Sequence, residues 1–348
     1  MPFLARVFQS AAAWAFLGTF LRLGANVLVL PLILRRLPTE QLGLWYVFGA
    51  LGGFATLLDF GFEATVARTT AYAWGGAKRL AAFGFHEEPP HEDGPNKPLF
   101  SDLLATLQAY YRSLGLLVLV LLTVAGGWWV WHKTLGMPQA NSILLAWMVY
   151  AIGSCLNFVS GRWPALLTGI GALRTANQIG IIGMLVYYVV SVAGLLAGWG
   201  IWSLVAGTFL MGLVSRTIGR IVFSRLAALP GGLPAPHFHR EIFSAIWPNA
   251  WRTGLVSLGA YLIVQANTLI CSAFLGLITT ASYGLSFQMV MILSGVSAVW
   301  VQVKLPEINQ LRVPGDYRRI AVLFTTRIRL TILTYFLGAV TLIFAGPQ

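Results

Sequence analysis

The sequence predicts an all-α integral membrane protein with about nine spanning helices and a cytoplasmic N-terminus. Three observations lead there. The 348 residues are 57% hydrophobic and only 10% charged, where a soluble domain carries about 25% charged residues; mean hydropathy is +0.75. The apolar residues gather in runs long enough to cross a bilayer, which takes about 20 residues each. The basic residues are also placed unevenly. Arg35, Arg36 and Lys133 fall in odd-numbered loops. Arg6, Lys78, Arg79, Lys97, Arg174, Arg216, Arg220, Arg225, Arg240, Lys304, Arg312, Arg318 and Arg319 fall at the N-terminus or around even-numbered loops. The excess of Lys and Arg marks the cytoplasmic side. The same placement explains the net charge of +12 as loop charge beside a membrane and argues against nucleic acid as a partner.

The first span, 11–34, runs on past 20 residues and has no small-residue cleavage pattern, so it reads as a spanning helix and not as a cleavable leader. The second, 42–74, is too long for one straight crossing. It is expected to bend near Asp59-Phe-Gly61, where glycine relaxes the backbone. Spans 103–131, 141–167, 177–198 and 201–223 complete a six-helix bundle within residues 1–228. A Pro/Gly-rich cytoplasmic linker, 229–240, carries His237 and His239, which read as interfacial. Spans 244–271, 279–303 and 322–345 form a partial second bundle, 241–348.

Aromatic residues mark many span ends: Trp45 and Tyr46; Trp128, Trp129 and Trp131; Trp199 and Trp202; Trp247 and Trp251. Such rings favour the headgroup level; a sugar-stacking platform is the functional alternative. The polar loop 78–98 holds His86 and His91 among carboxylates. Its prolines argue for a solvated loop over a metal site. Cys155 and Cys271 lie within apolar spans and read as space-filling thiols. The glycine pairs Gly49/Gly53 and Gly194/Gly198 fit close helix packing.

An internal echo supports two related halves. Leu23-Gly-Ala-Asn26 in the first span recurs as Leu258-Gly-Ala-Tyr261 in the seventh. Six helices separate the copies, so both run the same way, as in a parallel repeat. The first half has six spans and the second three. The layout therefore predicts a chain truncated relative to its ancestors, with a genuine nine-helix protein as the alternative.

The charges at membrane depth locate the candidate site. Arg22 lies about 16 Å along the first span at 1.5 Å per residue, and Thr19, Arg22 and Asn26 share one helix face. A lone arginine near the bilayer centre costs about 2.5–3.5 kcal/mol on insertion scales and faces a cavity or a partner. Both readings stand: a water-filled cavity, or an internal ion pair with Asp59. Asp59 and Glu63 are one turn apart and share a face with Thr56 and Thr70. Arg68 is about 180° from Asp59 and reads as an end anchor. Asn249, Arg252, Thr253 and Ser257 cover roughly 140° of the seventh span. For Arg252, interfacial snorkelling competes with a cavity position. Pro248 is expected to open the first turns of that helix. Arg162 reads either as an entrance residue or as an anchor.

The stretch Leu42-Gly-Leu-Trp-Tyr-Val-Phe-Gly-Ala-Leu-Gly-Gly-Phe-Ala-Thr-Leu-Leu-Asp-Phe-Gly-Phe-Glu-Ala-Thr-Val-Ala-Arg68 resembles the second helix of bacterial O-antigen-type polysaccharide flippases. Leu275-Gly-Leu-Ile-Thr-Thr-Ala-Ser-Tyr283-Gly-Leu is similar to the start of their eighth helix. The family belongs to the multidrug, oligosaccharidyl-lipid and polysaccharide exporter superfamily. The resemblance implies two helical bundles in a V around a central cavity with basic residues that meet the diphosphate of an undecaprenyl-linked glycan. It also implies alternating access, a bacterial inner-membrane location, and partners among the polysaccharide-assembly proteins such as a glycan polymerase. Arg22, Asn26, Asp59, Glu63, Asn249, Arg252 and Ser257 are then the substrate-binding candidates. Arginine suits a diphosphate because it stays charged and offers forked donors.

Two other functions stay open: a cation- or proton-coupled drug exporter of the same fold, with Asp59 and Glu63 as its deep carboxylates, and a non-transporting scaffold for glycan-assembly enzymes. An enzyme is not expected, because His, Cys and the acidic residues form no catalytic or metal set at usable spacing. No cofactor is implied and no nucleotide motif is present, so an ion or substrate gradient would supply the energy.

Overall fold

A computed structural model describes residues 11–59, 61–80, 94–229, 232–302, 304 and 317–345. Every regular element among them is helical. The loop holding His86 and His91 lies outside the described residues.

Helix α1 spans Ala11–Arg36. The next stretch is three pieces: α2, Thr39–Gly52; α3, Phe54–Leu58; and α4, Phe62–Trp74. Then come α5, Lys97–Leu121, and α6, Gly127–Thr134, joined by a π-helical turn at Leu122–Gly126. Helices α7, Ala140–Ser160, and α8, Arg162–Gly169, together make one long apolar helix. Helix α9 is Leu173–Leu196 and α10 is Ile201–Ala227. Helices α11, Arg240–Tyr261, and α12, Asn267–Phe274, are joined by a second π turn at Leu262–Ala266. Helices α13, Gly276–Gln302, and α14, Tyr317–Ala345, complete the described chain.

Eight of the described helices are long and apolar enough to cross a membrane. The predicted second span is not among them, because glycine divides it. Gly53 lies at the first break and Gly61 at the second, where its φ of +67° is the left-handed conformation that a side chain disfavours. Gly61 also admits a neighbour: a Cβ there would sit 2.3 Å from Thr253 Cγ2 on α11. The bend expected at Asp59–Gly61 is therefore a full interruption. The opening expected at Pro248 does not occur, since α11 passes that residue unbroken; its irregularity falls about four turns later at 3.6 residues per turn, in the π turn.

The π turn at Leu122–Gly126 has a visible cause. Trp147 of α7 is fully buried and its Nε1–H donates to Leu122 O at 3.0 Å. Gly126 leaves room for the indole, because a Cβ there would meet Trp147 Cζ2 at 2.3 Å. The ring meets a carbonyl that the widened turn exposes.

Packing follows small residues, though not always the expected ones. Helix α7 and α10 run parallel: Gly153 abuts Phe209, Gly212 abuts Leu156 and Asn157, and Gly219 abuts Trp163 of α8. Of the glycine pairs expected to pack, Gly53 and Gly194 do, against Tyr261 and Ser203. Gly49 faces open space, and Gly198 serves a left-handed turn instead. Helix α2 meets α13 through Gly43, which faces the backbone of Leu277, and through Gly284, which faces the Tyr46 ring. Tyr46 Oη–H donates to Gln288 Oε1 at 2.7 Å across the same seam.

The linker before α11 is tied to the start of α5. His237 N–H donates to Ala105 O, His239 N–H donates to Thr106 Oγ1, and His239 Nε2 lies 3.7 Å from Asp102 Oδ1. Trp128, Trp131 and Trp199 are exposed, as headgroup-level rings would be. Cys155 and Cys271 are free thiols, one half-buried and one buried.

Candidate functional site: a divided cavity at the helix break

The broken hairpin forms one wall of a cavity of about 800 Å³. Its polar lining is Asp59, Glu63, Tyr111, Tyr150, Ser154, Asn157, Thr168, Thr208 and Ser257. These come from the α3–α4 break and from α4, α5, α7, α8, α10 and α11. A second cavity of about 450 Å³ lies between α1, α8 and α9 and is lined by Thr19, Arg22, Glu63, Thr168 and Asn177 among others. Glu63 and Thr168 line both, so the two cavities adjoin.

Asp59 is held by its surroundings. The Tyr111 hydroxyl donates to Oδ1 at 3.0 Å and the Glu63 N–H donates to Oδ2 at 3.2 Å. The second bond caps α4, where a carboxylate complements the helix dipole. Asp59 thus has a structural task as well as a cavity position. Glu63, one turn on, keeps its side chain exposed.

Arg22 is exposed on the smaller cavity and forms no ion pair with Asp59 or Glu63 among the described residues. Of the two readings of Arg22, the structure has it facing a cavity. Asn26 faces α9 instead: Tyr188 Oη–H donates to its Oδ1 at 3.1 Å and lies 3.4 Å from Arg22 O. Ser257 lines the larger cavity. Asn249 and Arg252 line neither; Arg252 is exposed, and Asn249 O accepts from Thr253 Oγ1. Of the residues expected on the Asp59 face, Thr70 is buried against Gly169. Arg68 is exposed.

Sequence reasoning missed Tyr111, Tyr150, Ser154, Asn157 and Thr208. Periodicity along one apolar helix does not reveal which polar residue a distant helix will face. A partial signal existed: Ser154 and Asn157, three apart, share a face of an otherwise apolar span.

Phe62 stacks on Tyr110 at 4.2 Å, and Phe243 stacks on Trp247 at 5.6 Å, forming an aromatic group between α4, α5 and α11. Trp247 is partly exposed within it.

The chain is a multi-pass α-helical membrane protein with a polar, charged cavity at an interrupted helix. Irregular backbone at membrane depth is tolerated where it is buried in protein or lines a water-filled space. Compared with known families, curated proteins and solved structures, the chain matches none.

Proposed function

We propose that this protein moves an undecaprenyl-diphosphate-linked oligosaccharide from the cytoplasmic to the outer leaflet of a bacterial inner membrane, for polysaccharide biosynthesis. The observation that carries this reading is Arg22, exposed on a cavity at membrane depth and free of any carboxylate partner among the described residues. An unneutralised arginine there attracts a phosphate oxygen. The adjoining larger cavity offers hydroxyl and amide groups from Tyr150, Ser154, Asn157 and Thr208, the partners that sugar hydroxyls take. The resemblance at 42–68 and 275–285 points the same way. Asn249 and Arg252, outside both linings, are weaker candidates than Arg22, Asp59, Glu63 and Ser257.

The test is made on cells lacking the gene. Lipid-linked oligosaccharides are extracted and their leaflet is determined. The reading expects accumulation facing the cytoplasm with loss of surface glycan, restored by the wild-type chain and not by Arg22→Ala at equal membrane abundance. Unchanged lipid intermediates and unchanged surface glycan refute it.

One observation favours a second reading. The charged groups lining the larger cavity are carboxylates, Asp59 and Glu63. That suits a cation- or proton-coupled exporter. Increased sensitivity of the deletion strain to cationic drugs, reversed by the wild-type chain and not by Glu63→Gln, would support it.

A further inference from the structure

We infer that Arg162, Arg216 and Arg220 form a second anion site, outside both cavities, that holds the phosphate of an anionic lipid headgroup. This inference does not rest on the transport reading.

The parallel register of α7–α8 and α10 places the three together. Gly153 meets Phe209, Gly212 meets Leu156 and Asn157, and Gly219 meets Trp163, a constant offset of 56 residues in number. The same offset sets Arg216 level with Ser160 and Arg220 level with Pro164, so the two bracket Arg162. Arg216 and Arg220 are one turn apart and project to one edge of the α8–α10 seam. Their charges bear on Arg162, and Arg216 also bears on Cys155 of α7.

Arg162 is built in. Its guanidinium lies over the Trp163 ring at 4.6 Å. Its Nε is buried and has no hydrogen-bond partner. A buried charged donor left unpaired is costly, and a bound anion relieves it. None of the three arginines makes an ion pair among the described residues. The neighbours Gly161 and Ala165 line the large cavity but Arg162 does not. Arg216 and Arg220 are exposed, so the cluster is open to the protein surface on their side.

Depth identifies the ligand. Arg162 lies about 10 Å short of Gly169, Arg220 about 10 Å short of Ala227, and Arg216 about 16 Å short of it, at 1.5 Å per residue. Helix α10 is about 40 Å long by the same rise, which exceeds a hydrocarbon core of about 30 Å. With that surplus of about 10 Å on the side where α8 and α10 end, Arg162 and Arg220 stand at the core boundary and Arg216 about one turn inside it, within a snorkelling arginine's reach of the headgroup level. Phospholipid phosphates are concentrated at that level.

The test uses purified full-length protein in detergent, with binding followed by thermal unfolding and by native mass spectrometry. Phosphatidylglycerol is titrated against phosphatidylcholine and against inorganic phosphate. The expected result is that phosphatidylglycerol raises the unfolding midpoint and stays bound, whereas phosphatidylcholine does neither. Arg216→Gln/Arg220→Gln changes only exposed side chains and is expected to weaken phosphatidylglycerol binding roughly tenfold, as befits lost charge-assisted hydrogen bonds. Arg225→Gln, at the same helix end on another face, is expected to leave binding unchanged. Equal binding by the double variant, or equal weakening by Arg225→Gln, overturns the site. Inorganic phosphate matching phosphatidylglycerol at equal phosphate concentration overturns the lipid assignment.

Discussion

Alanine at Gly43 tests the seam between α2 and α13. A Cβ there would sit 2.2 Å from Leu277 O and 3.0 Å from Leu277 C. Ordinary contact begins near 3.4 Å, so the helices must separate by about 1.2 Å along that line. The obstacle is backbone, which no rotamer change relieves. Overpacking of this kind costs about 1–3 kcal/mol. Against it stands the helix-propensity gain of alanine over glycine, about 1 kcal/mol. Gly49, on the same helix, faces open space, so Gly49→Ala keeps the gain without the obstacle. The difference between the two variants isolates the contact: Gly43→Ala is expected to be about 1–3 kcal/mol less stable than Gly49→Ala. Unfolding of the purified proteins in mixed micelles, followed by tryptophan fluorescence, measures it. Truncating the Leu277 side chain should not rescue Gly43→Ala. Equal stability of the two glycine variants would refute the close approach of α2 to α13.

The other predictions concern the break and the first π turn. Gly61→Ala should lower stability by about 1–2 kcal/mol for the left-handed backbone alone, and Thr253→Gly should remove the added clash without removing that cost, as read in the same unfolding assay. Asp59→Asn keeps one acceptor oxygen for the Glu63 N–H and can donate its amide N–H to the Tyr111 oxygen, so it should stay near wild-type stability, whereas Asp59→Ala should lose about 0.5–2 kcal/mol; equal losses would remove the capping role. Trp147→Phe leaves Leu122 O without its indole partner and should cost about 1–3 kcal/mol, with hydrogen exchange quickening at residues 122–126; unchanged exchange there would mean that the indole does not hold the turn.

The fold class was legible because it rests on bulk composition and run length. The helix break at Asp59–Gly61 was legible too, from one glycine inside an overlong apolar run. Its completeness was not, since the glycine also leaves room for Thr253, which approaches from a helix far along the chain. Pro248 misled in the opposite direction. Proline predicts a local opening, but α11 tolerates it, and the actual irregularity at Leu262–Ala266 has no proline or glycine to announce it. Arg22 could be placed because depth and face follow from one helix alone. Arg252 could not, because its surroundings depend on how α11 rotates against α4. The glycines divide the same way: spacing suggested Gly49/Gly53 and Gly194/Gly198, of which Gly53 and Gly194 pack, while further tight contacts fell at Gly43, Gly153, Gly212 and Gly284, where only the partner helix decides.

The tie between residues 237–239 and the start of α5 has a mechanical consequence. A peptide joining two bundles is ordinarily slack, and slack lets each bundle swing about any axis. Three attachments within three residues fix this one against α5. Any rocking of the helices that follow would be least at the linker and largest at the opposite helix ends, where α2 meets α13 at Gly43 and Leu277. That far seam is held by the backbone approach at Gly43 and by the Tyr46–Gln288 hydrogen bond, so parting it would cost one polar contact as well as the close fit.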